Sequence, residues 1–419
     1  MKRKKDIQID NRQFKAIEAS AKNGDPAAMY MLAEKYANDR KNRMSRRKSF
    51  HWFKKAAVAG YVPAYDVVGN YYLNGDGVRQ DYHQAAKWLK KSAQEKDVLG
   101  LIDYGYVLYH GLGVRINYKK SFRMIYEASK TGNKFANFIL GRCYYYGTGV
   151  KKNYKKALQL FLISTSENDE ASYFIGQIYS HELKNDKEAF KWYKKGALAG
   201  DIDCCNLVGE FYRDGDVVKR NLKESVKWFK LAADANDDDG LLSLGYATFY
   251  GKGTKKDHKK AVKYYLASAK QGNDGAIYNL GLCYKNGTGV RQDYKRSFEY
   301  FLAAYKLGHP TSQFNIAQMY EYGLGVKVNK PLAKKWYLKR PENKDIEALF
   351  SVGVISHNLK EYDDAVRYYR KAAKLGHYKA TYYLGDCFRR GTGVKKSKHW
   401  ADYWFAKAKA IKSARRRSS

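Results

Sequence analysis

The chain has 419 residues, and its 79 Lys and Arg against 42 Asp and Glu give a formal net charge of +37. Its five cysteines are too few for a disulfide framework, and no apolar run is long enough to span a membrane. Disulfide-built scaffolds and helical membrane proteins are therefore excluded. The charge favours polyanionic partners, but lysines that only solvate outer helical faces would give the same composition.

The first ten residues, MKRKKDIQID, are basic and are not followed by an apolar segment. We therefore predict a charged, disordered arm at 1–10 rather than a secretion signal, and a cytoplasmic protein. Residues 12–23, RQFKAIEASAKN, look like the second helix of an incomplete copy of the unit described next. We expect this helix to cap the first full copy.

The unit is clearest at 276–308, which reads as helix, glycine-rich turn and helix. Ile277, Leu280 and Gly281 fall on one stripe of a 3.6-residue period. The turn at 286–289 ends the first helix, because glycine enters the left-handed conformation at little cost. A second apolar stripe follows in the second helix. Neither helix can bury its stripe alone, so each needs the other and the next copy.

This unit recurs eleven times, mostly at a spacing of 36 residues. Repetition at a fixed period predicts a solenoid. The copies begin near 26, 62, 98, 134, 170, 202, 238, 274, 310, 344 and 378. The position equivalent to Gly281, here called the reference position, is held by Ala33, Gly69, Gly105, Gly141, Gly176, Gly209, Gly245, Gly281, Ala317, Gly353 and Gly385.

Copies five and ten test this register because they are shorter. An aromatic residue stands nineteen positions after the reference in most copies, but sixteen after it in copy five, at Trp192, and fifteen after it in copy ten, at Tyr368. Both deletions are therefore predicted to lie between the two helices, where changes of length are tolerated.

The pattern A-x-x-x-L-G-x-x-Y-x-x-G-x-G-V-x-x-D-Y-x-K-A-x-x-W-Y-x-K-A-A-x-x-G runs through 64–96, 136–168 and 276–308. It resembles the Sel-one-like repeat (SLR), a branch of the tetratricopeptide (TPR-like) superfamily. The resemblance implies an all-α, right-handed superhelical solenoid of about eleven antiparallel helix pairs over 11–411, followed by a basic tail at 412–419. It also implies a concave face that holds protein partners. We therefore predict a monomeric, non-enzymatic scaffold or adaptor without a cofactor.

The motifs that could carry chemistry are weak. Seven Gly-x-Gly turns suggest a phosphate loop, but such a loop follows a strand and opens a helix, whereas these glycines close one. No histidine pair has the spacing of a metal site, and no G-x-S-x-G turn occurs. Cysteine-rich relatives have been linked to β-lactam hydrolysis, so a hydrolase stays the minor alternative.

In this superfamily the concave face is lined by first helices, at about −3, +1, +4 and +5 from the reference position. Tyrosine with interspersed arginine is typical of binding hot spots. We expect about half of these side chains to be exposed and the rest to pack between copies. The candidates for binding an acidic or extended protein segment are Tyr106, Tyr109, Phe138, Arg142, Tyr145, Tyr146, Tyr173, Arg213, Tyr246, Phe249, Tyr250, Tyr278, Lys285, Phe314, Tyr322, Tyr382, Arg389 and Arg390.

A second set of basic residues follows the turns and is predicted to form a ridge along one edge. Such a ridge could bind a polyanion (RNA, DNA or an anionic surface) with an affinity that falls steeply in salt. It could equally be a solvated edge. Its members are Arg115, Lys119, Lys120, Lys151, Lys152, Lys155, Lys156, Lys255, Lys256, Lys259, Lys260, Arg291, Lys295, Arg296, Lys395 and Lys396.

Overall fold

The computed structural model of the protein describes residues 11–38, 42–165, 170–339 and 345–417. Within these ranges the chain forms 23 α-helices and one π-helical turn, with no strand, so the all-α prediction is confirmed. The chain divides into two compact units, the first ending at Cys204 and the second beginning at Cys205.

The helices of the first unit alternate between first and second helices of the copies, after one additional helix at the start. They are α1 (Asn11–Lys22), α2 (Pro26–Ala37), α3 (Arg43–Val58), α4 (Pro63–Asn74), α5 (Tyr82–Gln94), α6 (Val98–His110), α7 (Tyr118–Ser129), α8 (Lys134–Tyr146), α9 (Tyr154–Ser164), α10 (Ala171–Gln177), which continues into the π-helical turn Ile178–Glu182, and α11 (Asp186–Leu198).

The boundary between the units falls within α12 (Ile202–Asp214). The second unit continues the same alternation. Its further helices are α13 (Leu222–Asp234), α14 (Asp238–Tyr250), α15 (His258–Ala269), α16 (Asp274–Asn286), α17 (Tyr294–Lys306), α18 (Ser312–Tyr322), α19 (Lys330–Leu338), α20 (Ile346–Asn358), α21 (Tyr362–Lys374), α22 (Tyr378–Arg390) and α23 (Lys398–Arg417).

Side-chain caps and glycines set the ends of these helices. Most second helices follow an Asp or Asn whose side chain accepts a hydrogen bond from a backbone N–H of the first turn. Asp81 Oδ1 accepts from Gln84 N at 3.0 Å, and Asn117 Oδ1 accepts from Lys120 N at 2.9 Å. First helices of regular copies end at a left-handed glycine such as Gly147, with φ 79°. The helix–turn–helix unit is therefore encoded locally.

The reference glycine allows the two helices of a copy to approach closely. A Cβ added at Gly141 would lie 2.8 Å from the Phe161 ring, and one added at Gly281 would lie 2.7 Å from the Phe301 ring. Real Cβ atoms do not approach rings this closely, so the second helix packs directly on the glycine. The two helices of a copy therefore pack on each other at the reference glycine, as the repeat pattern predicts.

The second glycine of each Gly-x-Gly turn contacts the preceding copy. A Cβ added at Gly149 would lie 2.1 Å from the carbonyl oxygen of Tyr118, the first residue of α7, and one at Gly289 would lie 2.4 Å from that of His258. The same contact is made at Gly77, Gly113, Gly149, Gly253, Gly289, Gly325 and Gly393. The space that a phosphate would need is filled by backbone, so these turns are structural.

Both short copies lose their residues between the helices, as predicted. In copy ten α20 and α21 are joined by a tight turn in which Lys360 takes the left-handed conformation, with φ 64°. In copy five the connection is the π-helical turn, after which Asn185 N donates to Tyr179 O at 2.8 Å. The sequence pattern did not predict this π-helical turn.

The predicted cap is confirmed at α1. Ala21 is 1 % exposed, and Phe14 and Ile17 pack against Leu32 and its neighbours in α2. The last helix, α23, continues to Arg417, beyond its predicted end at 411. The predicted arm at 1–10 and residues 418–419 of the predicted tail lie outside the described residues. Of the helices described here, none combines the length and the apolarity that crossing a membrane requires.

Candidate functional site

The first helices α6 and α8 bring together the largest group of predicted groove residues. They line a cavity of about 550 Å³. Tyr106 and Tyr109 enter it from α6, Arg142 and Tyr146 enter it from α8, and Phe138 forms part of its floor. The rings and the guanidinium therefore surround one concave volume in the first unit.

A second cavity of about 470 Å³ adjoins the first, because Arg142 and Tyr146 line both. Tyr173 of α10 lines this second cavity. The surface of the two cavities, defined by Tyr106, Tyr109, Arg142, Tyr146 and Tyr173, is called the Arg142 groove below. The Arg142 groove crosses three consecutive copies. An extended peptide bound along it could therefore place several of its side chains in the groove.

Aromatic contacts hold the centre of the Arg142 groove in place. The Arg142 guanidinium carbon lies 5.9 Å from the Phe138 ring centroid and 5.8 Å from that of Phe174, within the range of cation–π attraction. Tyr146 is 55 % exposed, and its ring contacts that of Tyr145 edge-on with the centroids 4.9 Å apart. Arg142 and Tyr146 are thus exposed side chains on a rigid support.

Acidic residues also line the Arg142 groove, and the sequence analysis missed them. Asp103 and Glu170 line the first cavity, and Glu170 and Asp203 line the second. They stand two or six positions before the reference position of their copies. The exposed ring of Phe135 also stands at −6. The predicted lining began at −3, so extending the same helical face by one turn would have found Phe135, Glu170 and Asp203.

A pair of carboxyl groups, Asp66 buried and Asp103 half-buried, adjoins this region. Asn70 Nδ2 donates to Asp103 Oδ2 at 2.7 Å and to Asp66 Oδ2 at 3.2 Å, and Asp66 is 8 % exposed. Burial, followed by the facing charge of Asp103, raises the pKa of Asp66 to about 8, and burial raises the pKa of Asp103. The pair therefore carries a proton at neutral pH.

About half of the predicted groove residues are exposed, as expected. Ten of the eighteen are exposed. The half-buried ones are Tyr145, Tyr173, Arg213, Phe249, Tyr278, Lys285 and Phe314. Phe138 corrects the expectation of a surface residue, because it is 2 % exposed and packs on Phe161 and Phe174. The sequence could not reveal this, because the burial of Phe138 depends on how the rings of copies four and five pack together in the joint between them.

In the second unit several predicted residues engage partners of their own or the next copy. Tyr246 and Tyr250 of α14 contact each other at 4.6 Å, and Lys252 lies 4.9 Å from the Tyr246 ring. Tyr278 stacks on His309 at 4.1 Å. Phe314 contacts the Tyr337 ring at 5.4 Å. Phe314 therefore helps to join α18 to α19 and Tyr278 contacts the next copy, whereas Tyr246 and Tyr250 pair within α14.

The predicted charged residues of the second unit also have partners. Lys285 Nζ donates to Gln318 Oε1 at 2.9 Å, and burial lowers the pKa of Lys285. Arg213 Nε donates to Asp214 Oδ1 at 2.8 Å. Arg389 and Arg390 both pair with Asp386. Tyr322, at 62 % exposure, and Tyr250, at 54 %, are the most exposed predicted tyrosines of this unit, followed by Tyr382 at 50 %.

All sixteen residues of the predicted basic ridge are exposed. Several lie over rings of the preceding first helix. Lys120 Nζ is 5.4 Å from the Tyr104 ring centroid, Lys156 Nζ is 5.3 Å from that of Tyr144, and Arg296 is 5.6 Å from that of Tyr284. Part of the ridge therefore contributes to packing within the copies.

Other lysines lie over the aromatic residues that recur in the second helices, three positions after each ring. The distance from Nζ to the ring centroid is 4.7 Å for Lys91 on Trp88 and 3.6 Å for Lys339 on Trp336. The same arrangement occurs at Lys55, Lys195, Lys371 and Lys407. These lysines account for part of the positive charge without any external ligand.

The cysteines are packing residues. Four of the five are buried, and none of the five, all of which lie in the described ranges, forms a disulfide. Burial raises the pKa of Cys143, Cys283 and Cys387 to about 11, so these thiols are protonated at neutral pH and poorly nucleophilic. Among the described residues no three His, Cys, Asp or Glu side chains come together in a way that could hold a metal ion.

Solved structures with the same repeats are similar to this chain. One is a protective antigen of uropathogenic Escherichia coli strains that displays an SLR fold, with 29 % identity over 94 % of this chain and 79 % of that one, and a TM-score of 0.57. Another is a Sel1 repeat protein from Oxalobacter formigenes, with 21 % identity over 90 % of this chain and 91 % of that one, and a TM-score of 0.43. A comparison with curated proteins gave no match.

The family model of the Sel1 repeat matches this chain eleven times. The matched segments are 26–61, 63–97, 98–133, 134–169, 169–201, 202–237, 239–273, 275–309, 310–339, 349–377 and 379–410. They agree with the eleven predicted copies and together cover nearly the whole chain. The protein therefore belongs to the Sel1 repeat family.

Proposed function

We propose that this protein is a non-enzymatic interaction scaffold that holds an extended segment of a partner protein in the Arg142 groove. Sel1 repeat proteins generally act as scaffolds for protein interactions. The observation that carries the proposal is the continuity of exposed Tyr106, Tyr109, Arg142 and Tyr146 across two adjoining cavities.

The shape of the groove favours an apolar anchor on the partner. The floor of the larger cavity includes the buried ring of Phe138 and the half-buried Ile139. An aromatic or branched aliphatic side chain that enters this cavity would exchange water for apolar contact, which is the usual source of hot-spot energy. The tyrosine rings at the rim would then exclude water from the contact.

The charges of the groove favour an extended partner segment of mixed charge over a uniformly acidic one. Arg142 offers one cationic group for a carboxylate of the partner. Asp103, Glu170 and Asp203 lie on the same lining, and their charges would repel a run of acidic residues. The proposed segment therefore carries an apolar anchor and mixed charges.

Selection from a random peptide library tests the proposal without knowledge of the natural partner. The nuclease-treated full-length protein would be used to select displayed peptides of about twelve residues. We expect enriched peptides to share an aromatic or aliphatic anchor. Substituting Arg142→Ala and Tyr146→Ala together should weaken their binding by at least about tenfold, because hot-spot truncations commonly exceed 1.4 kcal/mol.

The matched control is the pair Arg123→Ala and Tyr126→Ala. These side chains are of the same types and are exposed on the neighbouring helix α7. We expect this variant to bind the selected peptides as the unchanged protein does. Peptides that bind both double variants equally well would contradict the proposed site.

A further inference from the structure

A separate pocket lies between α22 and α23 in the second unit. Its volume is about 490 Å³, within the usual range of ligand sites. It is called the α22–α23 pocket below. Its lining combines aromatic rings with ammonium groups, the main ones being Tyr382, Tyr383, Phe405, Lys379, Lys409 and Lys412.

The three lysines of this pocket carry uncompensated charge. Lys379, Lys409 and Lys412 are exposed, and no carboxylate in the described part of the chain forms an ion pair with them. Asp386, the nearby acid, is already shared by Arg389 and Arg390. Over 378–417 the sequence holds twelve Lys and Arg against two Asp and Glu. This surface therefore attracts polyanions.

The rings of the pocket are both exposed and fixed. Tyr382 is 50 % exposed, and its ring centroid lies 5.1 Å from that of Phe405. Tyr383 is 43 % exposed and stacks at 5.6 Å, with an interplanar angle of 21°, on Tyr369, which is 1 % exposed. A ring held in this way keeps its orientation, so it provides a ready stacking surface.

We propose that the α22–α23 pocket binds single-stranded nucleic acid. A single strand offers a phosphate for each lysine and a flat base for Tyr382, and pairing lysines with aromatic stacking platforms is how proteins hold such strands without sequence preference. An acidic peptide would satisfy the lysines but has no group that uses the rings. A duplex hides the faces of its bases. This activity is independent of the Arg142 groove.

Fluorescence anisotropy of a labelled twenty-nucleotide dT strand with the full chain tests the proposal. We expect binding that weakens with salt. Changing Lys379, Lys409 and Lys412 to Ala should reduce the magnitude of the log–log salt slope by about two, since each phosphate contact of a single strand contributes about 0.7. The control changes Lys255, Lys256 and Lys259 of the predicted ridge to Ala and should leave the slope unchanged.

Stacking is tested separately at Tyr382. Tyr382→Ala should weaken binding of the dT strand about tenfold, whereas Tyr382→Phe, which retains the ring, should bind normally. An abasic strand of equal length should bind both variants alike. Circular dichroism would verify that each variant is folded.

Three results would overturn the proposal. The first is that the ridge control reduces the log–log salt slope as much as the variant with Ala at the three pocket lysines does. The second is equal binding by the Tyr382→Ala and Tyr382→Phe variants. The third is a twenty-residue polyglutamate peptide that displaces the dT strand at equal charge concentration, which would assign the pocket to acidic chains.

Discussion

The Arg142 groove and the α22–α23 pocket are built on the same repeat positions but carry opposite charges there. One residue after the reference position stands Arg142 in the groove and Asp386 beside the pocket. Six residues before it stand Glu170 in the groove and Lys379 in the pocket. Both regions keep tyrosines at the rim, so they differ in charge more than in apolar surface.

This difference shows that the repeat separates its scaffold from its surface. The reference glycine and the ring packed on it are present in both regions, at Gly141 with Phe161 and at Gly385 with Phe405. The charged side chains around them on the exposed face of the first helix differ from copy to copy, as Arg142 and Asp386 at one repeat position show. One architecture can therefore present a mixed groove in one copy and a basic pocket in another.

The largest expected effect comes from removing the ring that covers the reference glycine. Phe161 is fully buried and stacks on Phe174 at 5.1 Å, so Phe161→Ala should destabilise the copies around the Arg142 groove by about 3–5 kcal/mol. Phe405 is only half-buried, so Phe405→Ala should have a smaller effect. Hydrogen exchange of the backbone amides measures the local loss of stability, in α8 and α9 for Phe161→Ala and in α22 and α23 for Phe405→Ala.

Equal protection loss in the two variants would contradict this comparison. It would mean that the joint in copy eleven is as tightly packed as the one in copy four. The stability of the packing would then be more uniform along the repeats than the burial of Phe161 and Phe405 indicates.

The next effect is a pH dependence that arises from the carboxyl pair beside the Arg142 groove. Because the folded-state pKa of Asp66 is raised from 3.8 to about 8, the folded state keeps a proton that the unfolded state releases. The pair's contribution to stability should therefore be full below about pH 4 and fall as the pH rises toward 8. Urea unfolding at several pH values would show this slope.

The variant Asp66→Asn should flatten that slope, because an amide does not titrate. Asp402→Asn, at an exposed carboxylate of α23, is the matched control and should preserve the slope. If the unchanged protein and the Asp66→Asn variant show the same change of stability between pH 5 and pH 8, this account of the carboxyl pair is wrong.

The smallest effect distinguishes lysines that pack from lysines that bind. Lys91 lies 4.7 Å from the Trp88 ring, so Lys91→Met should lower stability by about 0.5–1 kcal/mol. Lys409 has no ring or carboxylate partner among the described residues, so Lys409→Met should leave thermal unfolding unchanged and weaken only strand binding. A lower unfolding temperature for Lys409→Met alone would reverse these roles.

The fold could be predicted from the sequence because every copy repeats the same local signals. Gly281 with its neighbours, the capping Asp or Asn and the recurring ring set helix ends and packing without reference to distant residues. The π-helical turn Ile178–Glu182 could not be predicted, because it depends on how three missing residues are absorbed between α10 and α11.

The candidate site was less predictable, since it depends on how neighbouring copies fit together. Arg142 and Tyr146 followed from their repeat positions, whereas Phe138 was expected at the surface and is buried. Lys409 and Lys412 belong to a second helix, and only the packing of α23 on α22 brings them beside Tyr382. Position within a repeat therefore predicts which face a residue occupies better than it predicts exposure.

The contact of the second turn glycine with the preceding copy has a consequence for how such a gene can evolve. At Gly113, Gly149 and the other turns of this kind, the junction between neighbours is formed by the same two pieces of backbone. Unequal crossing-over between equivalent points would rejoin matching halves, so the chain can lengthen or shorten in steps of about 36 residues without inventing a new interface. Each added step would also supply a fresh stretch of surface on which new recognition could be selected.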